Sequence, residues 1–467
     1  MKSNLKRSLL TSLSVGCLGI FAATVPLRSM QTTMAFADGI NSNATVDNAQ
    51  IQQELATLRA QIAQLNAKTD SQQSSINKNL WYLVGKGGNP VFVSKDGGTT
   101  MSISGFMQAD ATLATVPHQD GFSGGTALRK FLFSLGGTID HHYVYHFVYN
   151  FASTASSGIR AGLLDAYLGY QGKIENVNSV FLVGEQFPAF GVVQIQPGTD
   201  IQFMEDTVAG NIWSASNRQL GISGRQWSKY YNIWYGVFGS NSATNSTPVT
   251  GTPQVTYSAE LVGNIINTPH MLLSIRDSML FNRFNNNPQT FANFPDIQNY
   301  GANLVATQSL PIVSDYVNSP RIDFVDGRLN MVGEYYYVKT HETGDRNPTF
   351  SGWNAIIGCF LSDDGYTYSA PDGYAAPLDV SRPVTDGGYG AFQLSGRIDE
   401  TNLNYAADNI HGGNETNLTV GLSWWPVSPV RVEVNYVKVL PIGGAAASSQ
   451  YKRAAPSILG MRFQLRF

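Results

Sequence analysis

Segment after segment of this chain alternates apolar with polar or small residues, and that period of two is its tightest constraint on fold. "SILGMRFQLRF" ends the chain with Leu459, Met461, Phe463, Leu465 and Phe467 on one parity and Gly460, Arg462, Gln464 and Arg466 on the other. "HHYVYHFVYNF" sets Tyr143, Tyr145, Phe147, Tyr149 and Phe151 against His146 and Asn150. "VRVEVNY" sets Val430, Val432, Val434 and Tyr436 against Arg431, Glu433 and Asn435. Successive side chains of a strand point to opposite faces, so each segment has one dry face and one wet face. A soluble sandwich and a membrane barrel both use that pattern.

Three features favour the barrel. From about residue 80 onward no window offers 18 consecutive apolar residues, so no membrane-spanning helix is expected. Aromatics gather at segment ends (Tyr143 and Tyr149; Trp424 and Trp425), where interface girdles sit. The second face is openly polar in strand after strand, as a wet lumen requires. With only 13% charged residues, the chain can expose apolar bands without any long apolar run. "WPVSPVR" reads as a tight turn, and "GSNSATNSTPVTGTPQV" and "FNRFNNNPQTFANFPDIQNYG" as long loops. The last 385 or so residues, at roughly 22–24 per strand and connection, make about 16 strands, a size that leaves an aqueous channel. The expected fold is all-β: a transmembrane antiparallel β-barrel of about 16 strands at 80–467, preceded by a short N-terminal coiled-coil helix.

The front of the chain reads as an export signal over 1–37. Lys2, Lys6 and Arg7 start it, an apolar run follows, and "AFA" at 35–37 offers small residues for cleavage. Without it the chain carries 26 basic against 33 acidic residues, a balance that excludes a general nucleic-acid surface. Cys359 is then the lone cysteine, which excludes disulfide frameworks and cysteine-based zinc sites. In 38–79, Ile51, Leu55, Leu58, Ile62 and Leu65 are spaced four, three, four and three, the seam of a coiled coil. About three heptads are too few for a stable isolated coil, so the helix is expected to add to an association held elsewhere. "DSQQSSINKN" reads as a polar linker.

Several stretches together resemble the phosphate-selective porin O and P family. They are "ISGFMQADATLAT", "LLDAYLGYQGK" followed by "FLVGEQFPAFG", "FMEDTVAGNIW", "NRQLGISG" and the closing "NETNLTVGLSWWPVSPVRVEVNYVKV". The resemblance covers the barrel from about residue 100 to the end. It implies a 16-stranded homotrimeric barrel in a bacterial outer membrane, in contact with lipid and lipopolysaccharide, passing solute through each monomer.

Strand parity places Lys130, Arg225, Arg276, Arg328, Arg397, Arg431, Arg462 and Arg466 on the lumen side as pore-lining candidates. The same rule places Asp165, Asp323, Glu334, Asp399 and Glu433 there, so the lumen is expected to be mixed in charge. Two positions depart from the family pattern. Phe187 stands where the family segment carries a lysine, and Leu132 replaces the last arginine of a basic run in which Lys130 remains.

Other chemistry is set aside. "GFSGG" fits Gly-x-Ser-x-Gly, but that elbow needs a strand-to-helix turn and here lies between two alternating strands. His141 and His146, five apart, fall on opposite faces of a strand, and the acids of "SDDGYTYSAPDGY" suit a solvated loop. No enzyme activity, cofactor, metal or nucleic-acid partner is implied. The expected function is an outer-membrane porin passing small hydrophilic solutes, with phosphate or polyphosphate among the candidates. The alternative is a tether in which the barrel anchors and the coiled coil links it to the cell wall.

Overall fold

The computed structural model describes residues 48–78, 81–86, 89–115, 122–152, 161–214, 218–239, 253–284, 288–377, 379–444 and 453–467. The expected signal at 1–37 lies outside them. Two compact units divide near residue 72.

The first unit is built on helix α1 (Asn48–Lys78). The stretch 70–79 read as a linker is helical as far as Lys78, because nothing in it breaks a helix: it holds neither proline nor glycine. Leu55, Leu58, Ile62 and Leu65 are 40–62% exposed along the seam, so the stripe is bare within the chain. Ile51 lies in the helix, and its side chain is outside the described residues.

The second unit is a closed barrel of 16 antiparallel strands. In chain order these are β1 (Thr100–Thr115), β2 (Phe122–Ile139), β3 (Tyr143–Asn150), β4 (Gly162–Ile174), β5 (Val177–Gln186), β6 (Gln219–Trp227), β7 (Tyr231–Gly239) and β8 (Val255–Asn267). They continue as β9 (Met271–Arg283), β10 (Ile312–Asp326), β11 (Leu329–Glu342), β12 (Thr349–Phe360), β13 (Ala391–Tyr405), β14 (Ile410–Val427), β15 (Val430–Val439) and β16 (Ser457–Arg466). Each pairs with its neighbour, and β16 returns to β1 through Leu459↔Leu113, Arg462↔Asp110 and Arg466↔Phe106. The terminal Phe467 exchanges backbone hydrogen bonds with Gly105 at 2.7 and 2.9 Å. A hairpin of Tyr82–Lys86 and Asn89–Val93 pairs onto the start of β1.

Short turns gather at one end, the periplasmic one by the usual rule for such barrels. Between β4 and β5 the turn is Glu175-Asn176 alone, both at positive φ (49° and 67°), which is the two-residue geometry that matches strand twist. Outward residues form the apolar band, among them Leu168, Val183, Ile222, Leu261, Ile275, Ile357 and Met461, all at least 45% exposed. Trp424 stacks on Phe392 on the outer parity, whereas Trp425, expected in the girdle, points inward and is buried against Phe360.

Among the described residues, three connections fold into the barrel instead of leaving it. The first, 187–218, joins β5 to β6. The second, 284–311, joins β9 to β10 and brings Ile297, Tyr300, Leu304, Val305 and Leu310 against Val317, Val338, Phe350, Leu403, Val437 and Ile458. That is an apolar core inside the outer half of the barrel. Each such side chain taken from water contributes roughly 1.5–3 kcal/mol, so packing holds the segment in place. The stretch reads as a long loop in the sequence, and its aromatic and aliphatic content is what draws it inward. The third, 361–390, enters from the periplasmic end as a strap carrying a small hairpin (Tyr366–Ser369 with Tyr374–Pro377). Its base packs on Leu272, Val325, Phe360 and Trp425.

Candidate functional site

The inward segments determine which of the pore-lining candidates stay wet. Arg462 is clasped by Asp110 through two 2.7 Å bonds and by Glu205 at 2.7 Å, and it also donates to the Met204 carbonyl. Arg431 donates to the carbonyls of Ile201 and Gln202 (2.6 and 3.2 Å) and pairs with Glu433 at 3.1 Å. Arg397 pairs with Asp296 at 2.8 Å and Asp399 at 3.4 Å and donates to the Glu205 carbonyl at 3.0 Å. Arg276 pairs with Glu260 and donates to the Gly373 carbonyl of the strap. These four side chains are only 1–3% exposed.

Such arginines are fasteners. A guanidinium presents several donors in a rigid fork, so one side chain can bind a wall carboxylate and a segment carbonyl together. Every helix or loop entering a barrel brings backbone groups that need partners, and these arginines supply donors to 201–205. A compensated, dry cation offers little to a passing solute.

The interior stays wet along one arc. Inward residues on β8–β16 and β1 are mostly buried, whereas many on β2–β7 remain partly exposed. On that arc Lys130 has no ion-pair partner among the described residues, and its ammonium lies 5.9 Å from the Phe106 ring centre. Arg225 is 18% exposed, lies 4.1 Å from the Trp234 ring, and faces Asp372 at 3.7 Å. Arg466, 35% exposed, faces Asp200 at 3.6 Å. Of the eight candidates, then, Lys130, Arg225 and Arg466 are wet and Arg276, Arg397, Arg431 and Arg462 are dry. Arg328 is not in the lumen: it sits in the turn between β10 and β11, half exposed, and pairs with Asp363 of the strap base. The turn lifts it clear of the strand parity from which it was placed.

The acids placed inward by parity all lie inside with arginine partners. Asp165 pairs with Arg218 at 2.8 Å, and Asp323 and Glu334 share Arg321 at 2.8 and 3.3 Å. Parity missed Arg129, which lies at a β-bulge and reaches inward to Glu205 at 2.8 Å. It missed Arg218 because that residue precedes its strand. Between the 187–218 segment, the strap and the β10–β13 wall lies a cavity of about 70 Å³, room for a handful of waters at roughly 10–15 Å³ each. His146 faces inward and bonds Ser134 Oγ at 2.7 Å.

The pattern of the family described as "Phosphate-selective porin O and P" matches residues 102–467. An uncharacterized protein of Caulobacter vibrioides is 28% identical over 173 residues, which are 37% of this chain and 34% of that relative's length. Among solved structures, an anion-selective porin from Comamonas acidovorans is 12% identical, with a TM-score of 0.49 over 79% of this chain and all of the other. The outer-membrane channel DcaP of Acinetobacter baumannii is 13% identical, with a TM-score of 0.47 over 80% of this chain and 99% of the other.

Proposed function

We propose passive diffusion of small hydrophilic solutes, anions preferred, as the function of this chain, which belongs to the phosphate-selective porin O and P family. As a member it is an outer-membrane channel. The observation that carries the finer reading is the wet β2–β7 arc, where Lys130 and Arg225 keep water contact, together with the partly exposed Arg466 on β16, while Arg276, Arg397, Arg431 and Arg462 are buried in ion pairs. The path is therefore eccentric, running beside the filled half of the barrel. Cations spaced along a narrow route attract anions at each step without binding any of them tightly, which is what conduction requires. Phosphate and polyphosphate are the family's implied solutes, and the arc offers them spaced single cations in place of a dense basic cluster.

The bare seam of α1 supports self-association of three chains. The homotrimer is the reading we favour; a tether to the cell wall would use the same coiled coil and is the second reading.

Reversal potential in a KCl gradient across planar bilayers, with and without added phosphate, tests this. Anion selectivity that falls as phosphate enters is expected. Cation selectivity indifferent to phosphate would remove the anion reading, and absence of any current would remove the channel.

A further inference from the structure

Arg225 differs from every other inward arginine. Its pair with Asp372 is, at 3.7 Å, the longest ion pair among the described residues, and Asp372 is 48% exposed. Its guanidinium lies 4.1 Å from the ring of Trp234 and 5.2 Å from that of Trp227. Arg225 Nε and Trp234 Nε1 are buried without a hydrogen-bond partner. The two residues are register partners across β6 and β7, so these unmatched donors sit side by side. Buried N–H groups are nearly always paired, and neighbouring unpaired donors beside a loosely held cation mark a place for an anionic oxygen.

We propose that Arg225, with Trp227 and Trp234, binds the carboxylate of solutes that have a flat aromatic body, and that Asp372 of the strap is its resident stand-in. The proposal rests on the channel reading above and names the solute class for this part of the path. Asp372 is a carboxylate carried on a tether. The main chain of the tip is fixed independently of it, by Asn232 donating to the carbonyls of Ala370 and Pro371 (2.8 and 3.3 Å) and by Arg276 donating to that of Gly373. The Asp372 side chain also accepts from Ser369 Oγ at 2.5 Å, a local partner it keeps when it leaves Arg225. An incoming carboxylate thus exchanges with Asp372 without the strap moving. One carboxylate replaces another, so the solute can enter and also leave.

Selectivity comes from the indoles. Carboxylate and guanidinium are both planar and match in two parallel bonds. A flat ring attached to that carboxylate can lie along indole faces, which acetate cannot use. Phosphate gains the charge interaction and none of the stacking.

Purified full-length protein in planar bilayers tests this, with benzoate, acetate and phosphate as probes of a KCl current. Benzoate should interrupt the current at a concentration about tenfold below that of acetate or phosphate, a factor equal to about 1.4 kcal/mol. Asp372→Asn should lower the benzoate concentration further, by removing the competitor. Arg225→Gln should abolish block by both carboxylates. Trp234→Leu should erase the difference between benzoate and acetate while leaving acetate block. Asp345→Asn, on a turn away from the lumen, is the control. Equal potency of benzoate and acetate, or an Asp372→Asn channel that responds as wild type, overturns the proposal. If the wild type carries no current at all, the channel reading fails separately. Quenching of tryptophan fluorescence by benzoate in detergent, compared between wild type and Trp234→Leu, then decides the site: saturable quenching lost in the variant supports it, and identical quenching overturns it.

Discussion

Arg462 on β16 and Glu205 in the segment folded inside the barrel meet at 2.7 Å, although 257 residues separate them in the chain. The same guanidinium holds Asp110 on β1, so one side chain ties the last strand to the first and both to the lumen filling. Glu205 has a second cation in Arg129, at 2.8 Å. Asp110 has no other ion pair among the described residues.

Arg462→Met should therefore leave Asp110 as an uncompensated buried charge. Breaking one side of such a pair costs about 3–5 kcal/mol. The measurement is the temperature at which the folded band is lost on a heat-modifiability gel, expected to fall. Adding Asp110→Leu should restore most of the loss, since replacing a whole buried pair by apolar residues is often neutral. A single variant as stable as wild type would contradict the fastening role.

Lys130→Gln should behave in the opposite way. The lysine makes no ion pair among the described residues, so stability should change by no more than about 0.5 kcal/mol. The reversal potential in a KCl gradient should move toward cations. Arg397→Gln is the contrasting case, expected to harm folding more than selectivity because both of its acids are inside and dry.

Replacing residues 364–388 with a short Gly-Ser turn should raise single-channel conductance. The strap crosses from β12 and β13 to Asn232 and Arg276 on the facing wall, and so occupies part of the periplasmic mouth. Unchanged conductance in a folded variant would show that ions bypass it.

Gly105→Val should reduce the yield of closed barrel. A Cβ there would lie 2.2 Å from the Leu132 carbonyl oxygen and 2.7 Å from the Phe467 ring. Overpacking of this kind costs about 1–3 kcal/mol, and here the strain falls on the closing seam. The fraction of heat-modifiable protein reports it.

In a Cys359→Ser background, Leu58→Cys should cross-link protomers on mild oxidation, and Gln61→Cys should not. Leu58 is on the exposed seam of α1 and Gln61 is off it. Equal cross-linking of both would mean that the stripe does not organise the contact.

Parity alone brought Arg276, Arg397, Arg431 and Arg462 to the inner face, because a strand of known period leaves a side chain two choices. It could not tell dry from wet, since dryness depends on segment partners 97 to 258 residues away, as for Arg276 with the Gly373 carbonyl and Arg462 with that of Met204. The segment 284–311 was legible as a loop but not as one that folds inward. Its asparagines and prolines look like loop chemistry, yet Phe291, Ile297, Tyr300 and Leu304 carry more apolar surface than a solvated loop tolerates. Loosely paired cations resisted prediction most. Arg225 and Arg466 differ from Arg431 only in what folds over them.

The seam between β16 and β1 joins residues 352 positions apart, as Arg462 and Asp110 show. A sheet of hairpins can zip up locally, but its two outermost strands find each other only when the final ten residues have arrived. Until then every intermediate has two raw edges with unpaired amides and carbonyls, the state in which chains add to one another instead of to themselves. Bringing such distant segments together is slow as well, because the entropy of closing the loop is lost before the contacts form. For this chain the interval between synthesis and closure is thus a hazard in its own right, and its length is governed by a strand that carries none of the wet candidates except Arg466.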